Sequence, residues 1–137
     1  MRKLPPDALG VDFEVPFHDV DAMHIVWHGH YLKYFEIART AFMRARGLDV
    51  ERVIGLGFRQ LVIESHIRHS FPLRYGERFR VYVWVGEASE RVRFSFQIWN
   101  LTQDRRSARG ETVLVTTDAG GTLLLETPDA IRSCLVP

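Results

Sequence analysis

Apolar positions along the chain follow two different periods. From Tyr31 to Ala45 they recur every three or four residues, at Tyr31, Tyr34, Phe35, Ala38, Ala41, Phe42 and Ala45, which is the buried stripe of a single helix. Lys33, Arg39, Arg44 and Arg46 fall mostly on its other faces, and Gly47 suits the left-handed residue just past a helix end. The pattern predicts one long helix from Gly29 to Arg46. From Arg59 onward the period is two. Leu61, Ile63, Ser65, Ile67, His69 and Phe71 are expected on one face of a strand, with Gln60, Val62, Glu64, His66, Arg68 and Ser70 opposite. Pro72 to Glu77 makes a turn. Phe79, Val81, Val83 and Val85, then Val92, Phe94, Phe96 and Ile98, supply the next two apolar faces, and Ala108 to Thr117 reads as a fourth long strand.

The flanks complete the outline. Residues 1–10 are expected to form an extended or frayed arm. Val11 to Phe17 alternates as a first strand, with Pro16 ending its hydrogen bonding. Leu48 to Phe58 is a connector with room for one short turn of helix, punctuated by Gly55 and Gly57. Thr122 to Glu126 continues the fourth strand or forms a separate edge piece, and Pro128 begins a short C-terminal helix with Thr127 as its cap. A sheet of this kind needs one face covered, and only one helix is long and apolar enough to cover it. The expected class is therefore α+β: one domain over residues 1–137, a curved antiparallel sheet wrapped around one long helix. Tyr82, Trp84 and Trp99 fall on the outer face, where self-association is the cheapest cover for them.

Composition narrows the setting. The only cysteine is Cys134, so no internal disulfide exists and a reducing compartment fits. Pro5, Pro6 and Asp7 interrupt any secretory h-region, and no apolar run approaches membrane-spanning length. A cytoplasmic protein without membrane partners is expected. The formal charge of +1 conceals an asymmetry: residues 59–109 hold ten arginines against five acids, leaving the rest of the chain net acidic. Solvated strand faces account for this. The sharper alternative is a surface for a phosphate-bearing ligand, since arginine forks match phosphate geometry. Nucleic acid is disfavoured, because the arginines spread along strands and no recognition motif accompanies them.

Candidate chemistry concentrates ahead of the long helix. A polar turn carries Asp19 and Asp21, and His28, Gly29 and His30 open the helix. An aspartate beside a helix start can work as a base next to unpaired N–H donors, or merely bond its own backbone as a turn residue. No metal site is expected: His24, His28 and His30 with the two aspartates match no zinc spacing, and HExxH is absent. His66 and His69 lie on opposite strand faces. No G-x-S-x-G elbow occurs, no motif surrounds Cys134, and Gly120-Gly121 lacks P-loop spacing.

The run Phe17-His18-Asp19-Val20-Asp21-Ala22, followed by Ile25-Val26-Trp27-His28-Gly29-His30-Tyr31-Leu32 and Phe35-Glu36-Ile37-Ala38-Arg39, resembles the 4-hydroxybenzoyl-CoA thioesterase family of hotdog-fold proteins, including its Tol-Pal-associated branch. Pro72-Leu73-Arg74-Tyr75-Gly76-Glu77 falls where that family turns between its second and third strands. The resemblance implies a hotdog fold assembled as a homodimer or homotetramer, with the site at a subunit interface. It implies an acyl-CoA thioesterase that needs no cofactor, coenzyme A entering only as part of the substrate. Asp21 matches the catalytic carboxylate, acting as general base or nucleophile, and His28 matches the position whose backbone N–H polarises the carbonyl. Trp27, Gly29, Tyr31 and Glu36 are the expected substrate-binding residues. One departure stands out: Met23 and His24 occupy the place where the family has glycine. That departure keeps open a non-catalytic acyl-CoA or acyl-carrier binding module. A hotdog hydratase or dehydratase ranks lower, for want of a histidine followed by a Pro/Gly-rich stretch before the helix.

Overall fold

The computed structural model describes residues 3–136. Strand β1 (Leu9–Glu14) is followed by a one-turn 3-10 helix (Phe17–Asp19), a loop, and a second 3-10 turn (His28–His30) that runs directly into α1 (Tyr31–Ala45). A short α2 (Val50–Gly55) leads to β2 (Phe58–His69), β3 (Arg78–Glu87), β4 (Val92–Asn100) and β5 (Arg105–Asp118), and α3 (Asp129–Leu135) closes the order. The five strands form one antiparallel sheet in the order β1-β3-β4-β5-β2. The long helix, the short helix in the connector and the antiparallel strands are as the hydrophobic periods predict, but only β3, β4 and β5 run as a meander: β2 crosses to the far edge beside β5 instead of pairing with β3.

The stripe on α1 packs on the sheet largely through rings. Phe35 stacks on Phe96 with centroids 4.3 Å apart, Phe42 meets Phe94 edge-on at 5.9 Å, and Tyr34 tilts against Phe79 at 4.9 Å. Phe35 approaches so closely because Gly110 on β5 lies beneath it: a Cβ there would stand 2.7 Å from the Phe35 ring and 2.3 Å from the His66 carbonyl oxygen. The helix ends in a Schellman arrangement. Gly47, at φ +71°, donates to the Arg44 carbonyl, and Leu48 donates to that of Met43 at 2.8 Å.

Several expectations shift in detail. Leu9 and Gly10 are not part of a frayed arm but pair with Val83 and Tyr82, and β1 stops at Glu14, so Phe17 lies outside it. Met1 and Arg2 of that arm lie outside the described residues. The alternation assigned to β2 holds only for its second half. A bulge at Ile63 sets Val62 opposite Leu114 and Leu61 opposite Val115, so Leu61 leaves the helix-facing side and Val62 takes it. Thr122–Glu126 makes a single bridge, Leu123 to Thr117, rather than a strand. Pro128, not Thr127, is the cap of α3; the Thr127 N–H donates to Ser89 and its hydroxyl bonds nothing. No helix among the described residues is long and apolar enough to cross a membrane.

Candidate active site

The segment between β1 and α1 is a folded loop held on three sides. Val20 and Val26 bridge its two arms, Asp21 N–H donates to the Ile25 carbonyl at 2.9 Å, and His24 closes the tip by donating to Asp21 O at 2.9 Å. His24 adopts φ +65°, the left-handed region in which glycine is favoured. A histidine thus holds a backbone conformation that a side chain disfavours. The β2–β3 turn braces the loop: Val26 N–H donates to Leu73 O at 2.8 Å, and Ile25 bridges Arg74. Glu77, itself buried, anchors that turn by accepting from Arg74 N–H at 2.7 Å, Asn100 Nδ2 at 3.1 Å and Gln103 Nε2 at 2.9 Å.

The carboxylate buried deepest in the loop is Asp19. Only 1 % exposed, it accepts from Lys33 Nζ at 2.6 Å and Tyr34 Oη at 2.5 Å, with His30 Nε2 3.8 Å away. Its carbonyl accepts the Trp27 N–H at 3.0 Å. Burial alone would raise the Asp19 carboxyl, but the bonds from Lys33 and Tyr34 and the Lys33 charge outweigh it and hold the group below the usual carboxylate range. Burial, and then the bond to Asp19, push the Tyr34 hydroxyl well above its ordinary value, so it remains a donor. This network fastens the loop to the first turn of α1.

Asp21 stands outside that network. It is half-buried, and its Oδ1 accepts the Met23 N–H at 2.8 Å, while Oδ2 has no donor among the described residues. The turn-aspartate bond and a free carboxylate oxygen therefore coexist. At the helix start, neither Trp27 nor His30 offers a side-chain cap, and no acceptor among the described residues takes the N–H of His28 or Gly29. Two backbone donors at the positive end of a helix are left unpaired. The Trp27 ring, half-exposed, covers Gly29 so closely that a Cβ there would fall 2.2 Å from it, and His28 and His30 flank the same ring at 5.2 and 5.4 Å.

Tyr31 is buried, and its hydroxyl accepts the Leu73 N–H at 3.2 Å, so it ties the helix start to the braced turn. Glu36 is not brought to the helix start. It is exposed, paired with Arg39 at 2.5 Å, on the rim of a cavity of about 540 Å³ between α1, α2 and the beginning of β2, with Met43, Val53 and Phe58 inside. His69 was not a candidate, yet its ring lies 4.7 Å from Tyr31 and 6.4 Å from His28. Burial and the nearby His28 lower its pKa, favouring the neutral ring. Its position opposite Ala108, on the helix side of β2, was readable from the strand period; its arrival beside His28 was not.

Known proteins share this architecture. The profile of the thioesterase-like superfamily matches residues 15–135. A provisionally named esterase of Aquifex aeolicus is 31 % identical over 72 % of this chain and 76 % of its own length. A provisionally named acyl-CoA thioesterase of Bacillus subtilis is 29 % identical over 65 % of each. Among solved structures, a 1,4-dihydroxy-2-naphthoyl-CoA thioesterase from Synechocystis superposes with a TM-score of 0.84 at 18 % identity, over 93 % of this chain and 95 % of the other. At that identity the likeness concerns the fold, which is the hotdog arrangement of a long helix on an antiparallel sheet.

Proposed function

Since the chain belongs to the thioesterase-like superfamily, we propose that it hydrolyses acyl-CoA thioesters, with the Asp21 carboxylate and the His28 and Gly29 N–H groups acting on opposite sides of the carbonyl. The observation that carries this reading is the pair of unpaired backbone donors at the start of α1, in a loop that also presents a carboxylate with a free oxygen. Thioester hydrolysis needs an attacking oxygen and stabilisation of the charge that develops on the carbonyl oxygen. A thiolate leaves readily, so no strong general acid is required. Fixed N–H donors at the positive pole of a helix stabilise an oxyanion without reorganising during the reaction. Asp21 either takes a proton from water or attacks to form a mixed anhydride. The reaction draws on no cofactor, coenzyme A entering as part of the substrate. Trp27 and Tyr31 line the approach in this reading, and His28 contributes through its backbone while its ring and that of Trp27 border the substrate. Glu36 is left at a distance unless a second subunit brings one close.

Such a subunit is part of the proposal. In the sheet order β2 is a terminal strand of 12 residues, carrying exposed Leu61, Val62 and Ile63. A long apolar edge invites pairing with another chain. A homodimer formed through β2 would also bring a second chain near His69 and the helix start.

The test is a panel of acyl-CoAs with a free-thiol readout. Turnover is expected, and Asp21→Asn should reduce kcat at least about a hundredfold, the scale of losing a general base, with the circular dichroism of the fold unchanged. His28→Ala keeps the backbone N–H and should cost less. Undiminished turnover in Asp21→Asn would remove that carboxylate from the mechanism, whereas acyl-CoA binding without thiol release would favour a binding module instead.

A further inference from the structure

The far side of the sheet, away from α1, carries a second organised site. Strand register places Gln97, Arg109 and Arg68 in one row across β4, β5 and β2, and Trp84, Ser95, Glu111 and His66 in the next. These side chains, with Arg106 and Lys3 from the N-terminal segment, line a cavity of about 380 Å³. Its size lies within the roughly 300–1,000 Å³ usual for small-molecule sites.

Three features of this cavity are unexplained by folding alone. Arg68 and Arg109 sit directly opposite each other on neighbouring strands, a like-charge pairing that weakens a sheet. Elsewhere on the sheet Arg80 is matched with Asp12 and Arg93 with Glu87, while Arg59, Arg78 and Arg105 have no carboxylate partner among the described residues. Among the described residues neither Arg68, Arg109, Arg106 nor Lys3 has an ion-pair partner. The one carboxylate in the lining, Glu111, approaches Arg93 at 3.6 Å. Finally, Gln97 is 4 % exposed, and its Nε2 is buried without any hydrogen-bond partner. That nitrogen is closed off from solvent, so Gln97 contributes to the floor of the cavity rather than a donor that a ligand could reach.

We propose that this cavity binds a nucleoside phosphate: phosphate groups between Arg68, Arg109 and Arg106, and the base against Trp84. Arginine forks suit phosphate oxygens, and an indole face stacks on any base. The same charge argues against a second copy of this chain as the occupant, since two such faces would repel. The nucleotide can come from two sources, the phosphorylated adenosine diphosphate end of coenzyme A or a free nucleoside diphosphate. Only the first rests on the thioesterase reading.

Titration calorimetry on the full chain with ADP, adenosine 3′,5′-bisphosphate, coenzyme A and inorganic phosphate tests the site whether or not any thioester is hydrolysed. Saturable binding of at least one adenine nucleotide is expected, and Arg68→Gln with Arg109→Gln should weaken it at least about tenfold, the scale of losing charge-assisted hydrogen bonds. Gln97→Glu should weaken it too, because the new carboxylate would sit opposite Arg109 and compete with the phosphate for it. No nucleotide binding at millimolar concentration, undiminished binding in these variants, or inorganic phosphate binding as tightly as ADP would overturn the proposal. The source follows from kinetics. A KM raised for acyl-CoA but not for the matching acyl-pantetheine assigns the site to the substrate's nucleotide, and an unchanged KM with lost ADP binding assigns it to a free nucleotide.

Discussion

At the scale of single residues, the loop owes its shape to one ion cluster and one strained backbone position. Asp19 is held ionised by Lys33 and Tyr34. Asp19→Asn keeps a hydrogen-bond acceptor but loses the charge, and at neutral pH should cost about 2 kcal/mol, discounted because Lys33 is partly exposed and can turn to water. Its pH dependence has a definite sign. The folded pKa of Asp19 lies below the ordinary value of 3.8, so its contribution is complete above that value and is lost as pH falls through the folded pKa. Denaturant titrations of the two proteins should therefore differ at pH 7 and converge on acidification; a gap independent of pH would show that the charge is immaterial. His24 makes the opposite prediction. A β-carbon at φ +65° costs roughly 1 kcal/mol relative to glycine, so His24→Gly should raise stability by about that amount, and thermal melting checks it. A fall would mean that the His24 ring makes a contribution of its own.

At the scale of elements, the seat of α1 depends on what β5 lacks. Any side chain at Gly110 collides with a ring on one side and the His66 backbone on the other. Gly110→Ala should cost about 3 kcal/mol, at the upper end for overpacking a tight contact, and Phe35→Leu in the same chain should recover part of it. Additive losses in that pair would mean that Phe35 is not the obstacle. The helix stripe and most of the strand period were legible because both depend on neighbours close in sequence. Phe35, Phe42, Phe94 and Phe96 could be assigned to a core from spacing alone. The bulge at Ile63 was not legible, since its residues look like any alternating strand and only pairing with Val113 and Leu114 reveals the extra one. The site divides in the same way. Asp21, His28 and Gly29 were singled out because the run of residues around them resembles a family motif. The Asp19 network was missed because its partners lie 14 and 15 residues away on a helix face, and His69 because it reaches Tyr31 only after the β2–β3 turn is folded.

At the scale of the whole molecule, the two edges of the sheet are unequal. β1 is short, whereas β2 has 12 residues with three consecutive exposed apolar side chains around its bulge. The outer aromatics that suggested self-association are a weaker argument for it: Tyr82 is covered by Arg80, and Trp99 donates its indole N–H to Asp104 at 3.3 Å. Their face also holds the unpaired arginines, which oppose contact between two copies. The proposed association is thereby directed to β2, where added main-chain bonds and apolar burial would act together. A charge on this edge separates that route from the others. Ile63→Lys places a cation on an exposed bulge residue, so the fold should persist, while two copies pairing along β2 would bring two lysines together at the seam. Light scattering after size exclusion should show the wild type at twice the chain mass and Ile63→Lys at the chain mass, with the far-ultraviolet spectrum unchanged. Turnover should fall along with the dimer if the helix-start site requires a second chain. A monomeric variant of full activity would place the whole reaction within one subunit, and a dimeric variant would move the interface away from β2.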